Sequence, residues 1–552
     1  MTTGVTTEDY AAAAVAALAD GRWGDARDAF SAVLDGHVTP EALEGMGEAL
    51  WWIGDPQGCV DYRARAFTAY RRDGNDSAAV VVALQLAVVF FSSLGNDVAA
   101  QGWLGRAESL GAADDEDLRP WYDLVRGYIS PDIQVAVDLA RRALEDGRRL
   151  QDRDLELCAL CDLGLALVRS GIVADGLALI DEGMAGTLAG EYTRLDTVVF
   201  TCCDMLEACD LVADVHRATQ WCRVADAFMA QYGCPFLNAE CRTLYGSVLV
   251  STGAWSAAET ELTVALAVAG HATPALQARA SAALARLRLR QGHLDEAEAL
   301  VAGAEEPPGA QVLAEVLVEQ SRPAAAAAVL ERLLTRCADR PLVRAPLLDA
   351  LVAARLATAD SAAAHHIVAE LRSLADDCPH QLVRAHAGMA AGRLASTESQ
   401  RELAVAHLDA ALRHFDGAGL IYEAARARRE LARVLIATQP AAAAVEATRA
   451  LNAFHQLGAG RDADNTAALL REMGVPTPPG PRSEELLTAR EQEVLALLTV
   501  GLSNPEIAQR LFISRKTAAH HVSRVISKLG LRNRSEVAAF GALLGRGGNR
   551  PA

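Results

Sequence analysis

The chain has 552 residues, 51% of them hydrophobic and only 5% aromatic, with a formal net charge of −19. That length exceeds one ordinary domain and implies several domains or a repeat array, while abundant alanine with few aromatics favours closely packed helices over sheets. A charge this negative excludes a protein coated with nucleic acid along its length.

The N-terminal MTTGVTTEDY has no positive region of the kind that opens a secretory signal. From residue 8 to about 473 the chain reads as one helix after another, with apolar residues at helical spacing and short turns of Gly, Asp or Asn. The most apolar run, Ala78 to Phe91, falls short of the ~20 residues that span a bilayer and predicts a buried helix. Eleven cysteines, an odd number, lie between Cys59 and Cys378 in helical patterns. They read as reduced core thiols of a cytoplasmic protein.

Certain turns share a frame of Gly-x-large-x-x-Ala-x-x-x-large. Gly21 is followed by Trp23, Ala26 and Phe30; Gly253 by Trp255, Ala258 and Leu262; Gly292 by Leu294, Ala297 and Val301. The pattern is that of an αα-hairpin. Gly ends one helix in a left-handed conformation, the large residue begins packing the next, and Ala allows close approach. Gly21, Gly54 and Gly95 are 33 and 41 residues apart, and Gly253 and Gly292 are 39 apart. These spacings resemble tetratricopeptide (TPR) repeats, of period ~34, and predict roughly a dozen stacked hairpins.

Within this body, Cys158-Ala-Leu-Cys161 has redox or zinc-pair spacing but lies in an apolar helical run, so core packing is expected. Cys202-Cys203 and His365-His366 read the same way, because adjacent helical side chains diverge by ~100° and do not chelate together. The acidic run Asp114 to Asp117 is read as a solvated loop. No nucleophile–base–oxyanion grouping stands out, so no enzyme activity, cofactor or metal is expected.

The helical pattern breaks at GVPTPPGPRSEE. Pro476, Pro478, Pro479 and Pro481 do not continue a helix, so 1–473 is read as the repeat body, 474–485 as a linker and 486–552 as a separate domain. From Leu486 onward eight Arg and two Lys face four Glu and no Asp, a net +6, which leaves −25 on the preceding residues; the two lysines, Lys516 and Lys528, are the only ones in the chain. A small basic head follows a large acidic body.

Four helices are marked in the head by their caps. Thr488 with Glu491 makes a capping box for the first. Ser503-Asn504-Pro505-Glu506 starts the second, with Pro at a first-turn position. Ser514 caps the third, which runs to Leu529, and Ser535 caps a short fourth. Two short helices joined by the turn Phe512-Ile513-Ser514, the second of them basic, make a helix-turn-helix. At 100° per residue, Ala518, Val522, Val525 and Leu529 share one side of the third helix, flanked by Ile526 and His521. Lys516, His520, Ser523 and Ser527 take the other, bordered by Ala519 and Arg524. That side suits a major groove: cations for phosphates, His and Ser for base edges, Ala for a thymine methyl.

Leu487 to Leu495, Gly501 to Ala508, Ser514-Arg515-Lys516-Thr517, His521, Lys528-Leu529 and Arg534 resemble the LuxR/GerE helix-turn-helix family, with Ala518 departing from the Val usual there. The resemblance implies sequence-specific binding of double-stranded promoter DNA, with the fourth helix pairing two domains as a homodimer. Ala519, His520 and Ser523 would face bases. Arg515, Lys516, Thr517, Arg524, Lys528, Arg532 and Arg534 would hold the phosphate backbone. A TPR-like body ending in this domain also resembles the large MalT-type regulators, but without their ATPase module, since no lysine precedes Lys516 and a P-loop needs one.

The expectation is thus an all-α protein: a TPR-like αα-hairpin solenoid that senses a small molecule or protein partner, followed by a four-helix DNA-binding domain. RNA polymerase is an expected partner, a membrane is not, and the place of action is the cytoplasm, at the nucleoid. The competing reading is a TPR-like interaction scaffold with a vestigial DNA-binding domain.

Overall fold

The computed structural model describes residues 7–270, 273–305, 307–475, 489–499, 502–511 and 514–528. Among these, twenty-five helices run from Thr7 to Glu472 and three follow, with no strand. The chain forms two compact units, Met1–Asp462 and Ala463–Ala552, divided within the helix Gly460–Glu472.

The first unit is an αα-hairpin solenoid. Helices pack on their sequence neighbours, and the odd-numbered ones, counted from Thr7–Ala19, also touch one another along most of the unit. They form the inner layer. The frame residues occupy their expected places. Gly21, Gly253 and Gly292 have φ of 71°, 92° and 95°. Ala26, Ala258 and Ala297 are fully buried beneath them, and Trp23, Trp255, Phe30 and Leu262 are buried beside them. The helix Asp76–Ser92 holds the most apolar run, and most of it is buried. No helix among the described residues is long and apolar enough to cross a membrane.

The solenoid winds back onto itself. The third helix, Pro40–Ile53, touches the thirteenth, Pro235–Thr252, which touches the twenty-third, Ile421–Leu435; the ninth, Arg153–Arg169, touches the nineteenth, Pro341–Ala357. One superhelical turn therefore closes every ten helices, or five hairpins. The seam between turns is apolar and well bonded. Trp51 packs on Phe236 (6.1 Å between ring centroids), Trp52 on Phe228 (6.3 Å), and the Trp23 indole N–H donates to the Tyr232 carbonyl at 2.6 Å. The hairpin glycines sit on this seam, where a Cβ at Gly21 would come 2.4 Å from the Tyr232 ring and one at Gly171 would come 2.9 Å from the Pro341 ring.

Nine of the eleven cysteines, Cys158 and Cys161 included, are buried as free thiols; Cys203 and Cys222 are half-buried. The His365-His366 pair departs from expectation. Both are exposed on the outer face of Ser361–Asp377, whose core side is carried by Ala364, Ile367, Val368 and Leu371, and His365 meets Glu398 at 2.5 Å. Two exposed neighbours fit a helix whose buried stripe skips both positions. The run Asp114 to Asp117 is exposed, and Asp115 accepts from the backbone N–H groups of Asp117 and Leu118.

Candidate nucleic-acid interface

Among the described residues, three short helices build the head: Ala489–Thr499, Asn504–Arg510 and Arg515–Lys528. Their core is a single cluster of Val494, Leu495 and Leu498 from the first, Ile507 and Ala508 from the second, and Ala518, Val522 and Val525 from the third. The third helix packs on both others. Ala518, Val522 and Val525, three of the four residues of the stripe expected at 100° per residue, are buried. Ala518 is fully buried, so the small residue at this position serves as a core contact.

The turns are fixed by local hydrogen bonds. Glu506 closes a capping box: its carboxylate accepts from the Ser503 backbone N–H at 2.6 Å and from the Ser503 hydroxyl at 2.5 Å. Leu502 N–H returns to the Leu497 carbonyl at 3.1 Å, closing the end of the first helix. Ser514 caps the third helix. Its Oγ accepts from the Thr517 N–H at 3.0 Å and lies 2.7 Å from the Thr517 hydroxyl. The bonds from the Ser503 and Thr517 N–H groups satisfy backbone donors that a helix start leaves open.

Among the expected contact residues, Arg515 and Thr517 are exposed at the start of the third helix and Ala519 is partly exposed. Lys516, His520, Ser523, Arg524 and Lys528 belong to the helix, and their side chains lie outside the described residues. His521 is half-buried, as a position flanking the core should be. Thr488, Phe512, Ile513, Leu529, Arg532, Arg534 and Ser535, with the expected fourth helix, lie outside the described residues. One cation falls outside the reading of the third helix: Arg510, exposed in the last turn of the second helix. Its signal was its place just before the turn.

A buried apolar stripe docked on two helices, with a capped and cation-bearing start, is the arrangement a recognition helix requires. Residues 485–540 match the family described as "Bacterial regulatory proteins, luxR family". The spore germination protein GerE of Bacillus subtilis is 47% identical over 55 residues, which is 74% of that protein and 10% of this chain. This chain belongs to the luxR family. A second luxR-type relative, the DNA-binding transcriptional activator DevR/DosR of Mycobacterium tuberculosis, is 39% identical over 98 residues, 17% of this chain and 44% of that protein. The transcriptional regulatory protein LnrK of B. subtilis is 49% identical over 59 residues, 11% of this chain and 27% of that protein. The luxR match thus spans less than half of these two relatives. Over the larger part of the chain, the solved structures it is similar to include the APC/C hetero-tetramer Cut9-Hcn1 (TM-score 0.37, 13% identity, covering 84% of this chain and 99% of that one) and yeast Tom70 (TM-score 0.31, 12% identity, 79% and 98%).

Proposed function

We propose that this luxR-family regulator binds promoter DNA as a dimer through its third terminal helix, and that its helical body receives the regulatory signal. The observation that carries the reading is the division of the third helix. Ala518, Val522 and Val525 are committed to the core, which leaves the other positions for a groove, and no acidic residue occurs from Ser514 to Arg534. Arg515, Lys516, Thr517, Arg524, Lys528, Arg532 and Arg534 then serve the phosphates, while Ala519, His520 and Ser523 serve base edges. RNA polymerase is the partner through which such a protein would act, in the cytoplasm.

The body's charge opposes DNA, so the grip is local and electrostatic. The test is a mobility shift of the full chain on its own upstream region across a salt series. Affinity should fall steeply with salt, and Lys516→Ala should reduce the log–log slope by about one. His520→Ala should cost ~1–3 kcal/mol and relax the preference at one base position. Salt-insensitive binding, or binding retained by a chain ending at residue 481, would overturn the reading. A folded full chain that shifts no promoter DNA would favour the scaffold.

A further inference from the structure

The inner layer of the first superhelical turn encloses a cavity of about 730 Å³, within the ~300–1,000 Å³ typical of small-molecule sites. Its wall comes mainly from alternate helices between Thr7–Ala19 and Leu195–Val212. Tryptophans dominate it. Trp52 stacks on Trp23 at 4.4 Å and meets Trp51 edge-on at 4.7 Å, while the Trp121 N–H donates to Asp152 at 3.0 Å. Val15 and Val81, two of the few large apolar side chains left exposed, also line it.

Two carboxylates, Asp162 and Asp204, enter this apolar space. Each is 7% exposed, and no hydrogen bond reaches either among the described residues. Burial raises the proton affinity of both and Asp162 raises that of Asp204 further, while the nearby Arg169 guanidinium lowers both in part. Gln85 lines the same cavity with its buried Oε1 lacking a donor. On the other side of the balance, Arg194 is taken by Asp196 at 2.6 Å and lies 5.0 Å from the Trp121 ring centroid. The open donor is Arg63 Nε. With Glu48 and Asp196, the lining holds four carboxylates against two guanidiniums.

We propose that this cavity binds a small aromatic amine, its ammonium group at Asp162 and Asp204 and its ring against Trp51, Trp52 and Trp121. The cation supplies the donors that the two carboxylates lack, and the indoles add apolar area and attraction for the charge. Binding the amine ionises both acids, whereas an anion would oppose that ionisation and a neutral ring would leave both acids unpaired. The assignment rests on the reading of the body as the sensor and names the class of ligand sensed.

The test is calorimetric titration of the full chain at neutral pH with three probes of one shape: 2-(1-naphthyl)ethylamine, 2-(1-naphthyl)ethanol and 1-naphthaleneacetate. The amine should bind roughly ten-fold or more tightly than either other probe. Asp162→Asn/Asp204→Asn should remove that preference while circular dichroism stays unchanged. Equal affinity for the three probes, no binding of the amine, or a preference that survives the double substitution would overturn the assignment. Mobility shifts on the same preparation separate the two readings. A chain that shifts DNA and ignores the amine loses the cavity site and keeps the regulator, whereas one that binds the amine and shifts no DNA does the reverse.

Discussion

Single residues carry two kinds of stress in the body. Asp162 is buried with no hydrogen-bond partner among the described residues, and that burial pushes its carboxyl up to about 7. An ordinary unfolded carboxylate titrates near ~3.9. Between these values the folded chain holds a proton that the unfolded chain has released, so stability falls as pH rises, and the full penalty stands above the folded value. Asp162→Asn should therefore stabilise the body at pH 8, by on the order of 1 kcal/mol or more, and confer little at pH 4. Urea midpoints at the two pH values check this; equal shifts at both would show that the carboxylate is not the source. Glycine stress is separable in the same way. Gly74 and Gly171 both have positive φ, but a Cβ at Gly74 meets nothing within 4 Å, whereas one at Gly171 meets Cys378 Sγ at 2.8 Å and the Pro341 ring at 2.9 Å. Gly74→Ala should cost ~1 kcal/mol of backbone strain. Gly171→Ala should cost ~2–4 kcal/mol, since the seam must also open. Equal costs would mean that the seam yields freely.

At the scale of elements, the head depends on its caps because its helices are short. Asn504–Arg510 has seven residues and Arg515–Lys528 fourteen, near or below the length at which an isolated helix is marginal. Ser514→Ala removes the oxygen that accepts from Thr517 N–H and should cost about 1 kcal/mol. Hydrogen exchange over residues 515–528 should quicken several-fold, with a matching loss of DNA affinity; unchanged exchange would show that the cap contributes nothing. The hairpins of the body were only partly legible at this scale. Gly171 begins a further instance of the frame, with Val173, Gly176 and Ile180, and Gly54 another, with Cys59 and Arg63. Gly176 and Cys59 are small enough for the close approach that Ala provides elsewhere, so the physical rule held where the letter did not. Arg63 in a large position departs from the apolar pattern, and it is one of the open groups of the cavity.

For the body taken whole, the seam changes what a repeat protein is expected to do. A solenoid with only nearest-neighbour contacts unfolds as a chain of semi-independent units. Here one buried cluster extends from Trp23 to Leu394 and joins successive superhelical turns. The body should therefore unfold in one transition, with tryptophan fluorescence and far-ultraviolet circular dichroism giving the same midpoint; separated midpoints would show that the turns unfold independently.

The helical class, the hairpin frame, the charge asymmetry, the apolar stripe of the third terminal helix and the luxR resemblance were all written in the sequence. Each depends on contacts a few residues apart or on side chains of one helix, and local spacing encodes such contacts directly. The seam, the tryptophan-lined cavity and the isolation of Asp162 and Asp204 were not. They join residues some 40 to 210 positions apart, such as Asp162 with Asp204 and Trp23 with Tyr232. The seam is set by the small rotation between successive hairpins, summed over five of them, and the meeting of Asp162 with Asp204 by the stacking of two neighbouring hairpins; no local pattern states either. His365 and His366 show the same limit on a smaller scale. Their sequence surroundings are apolar enough for a core, and only the packing of Ser361–Asp377 decided that the buried stripe passes them by.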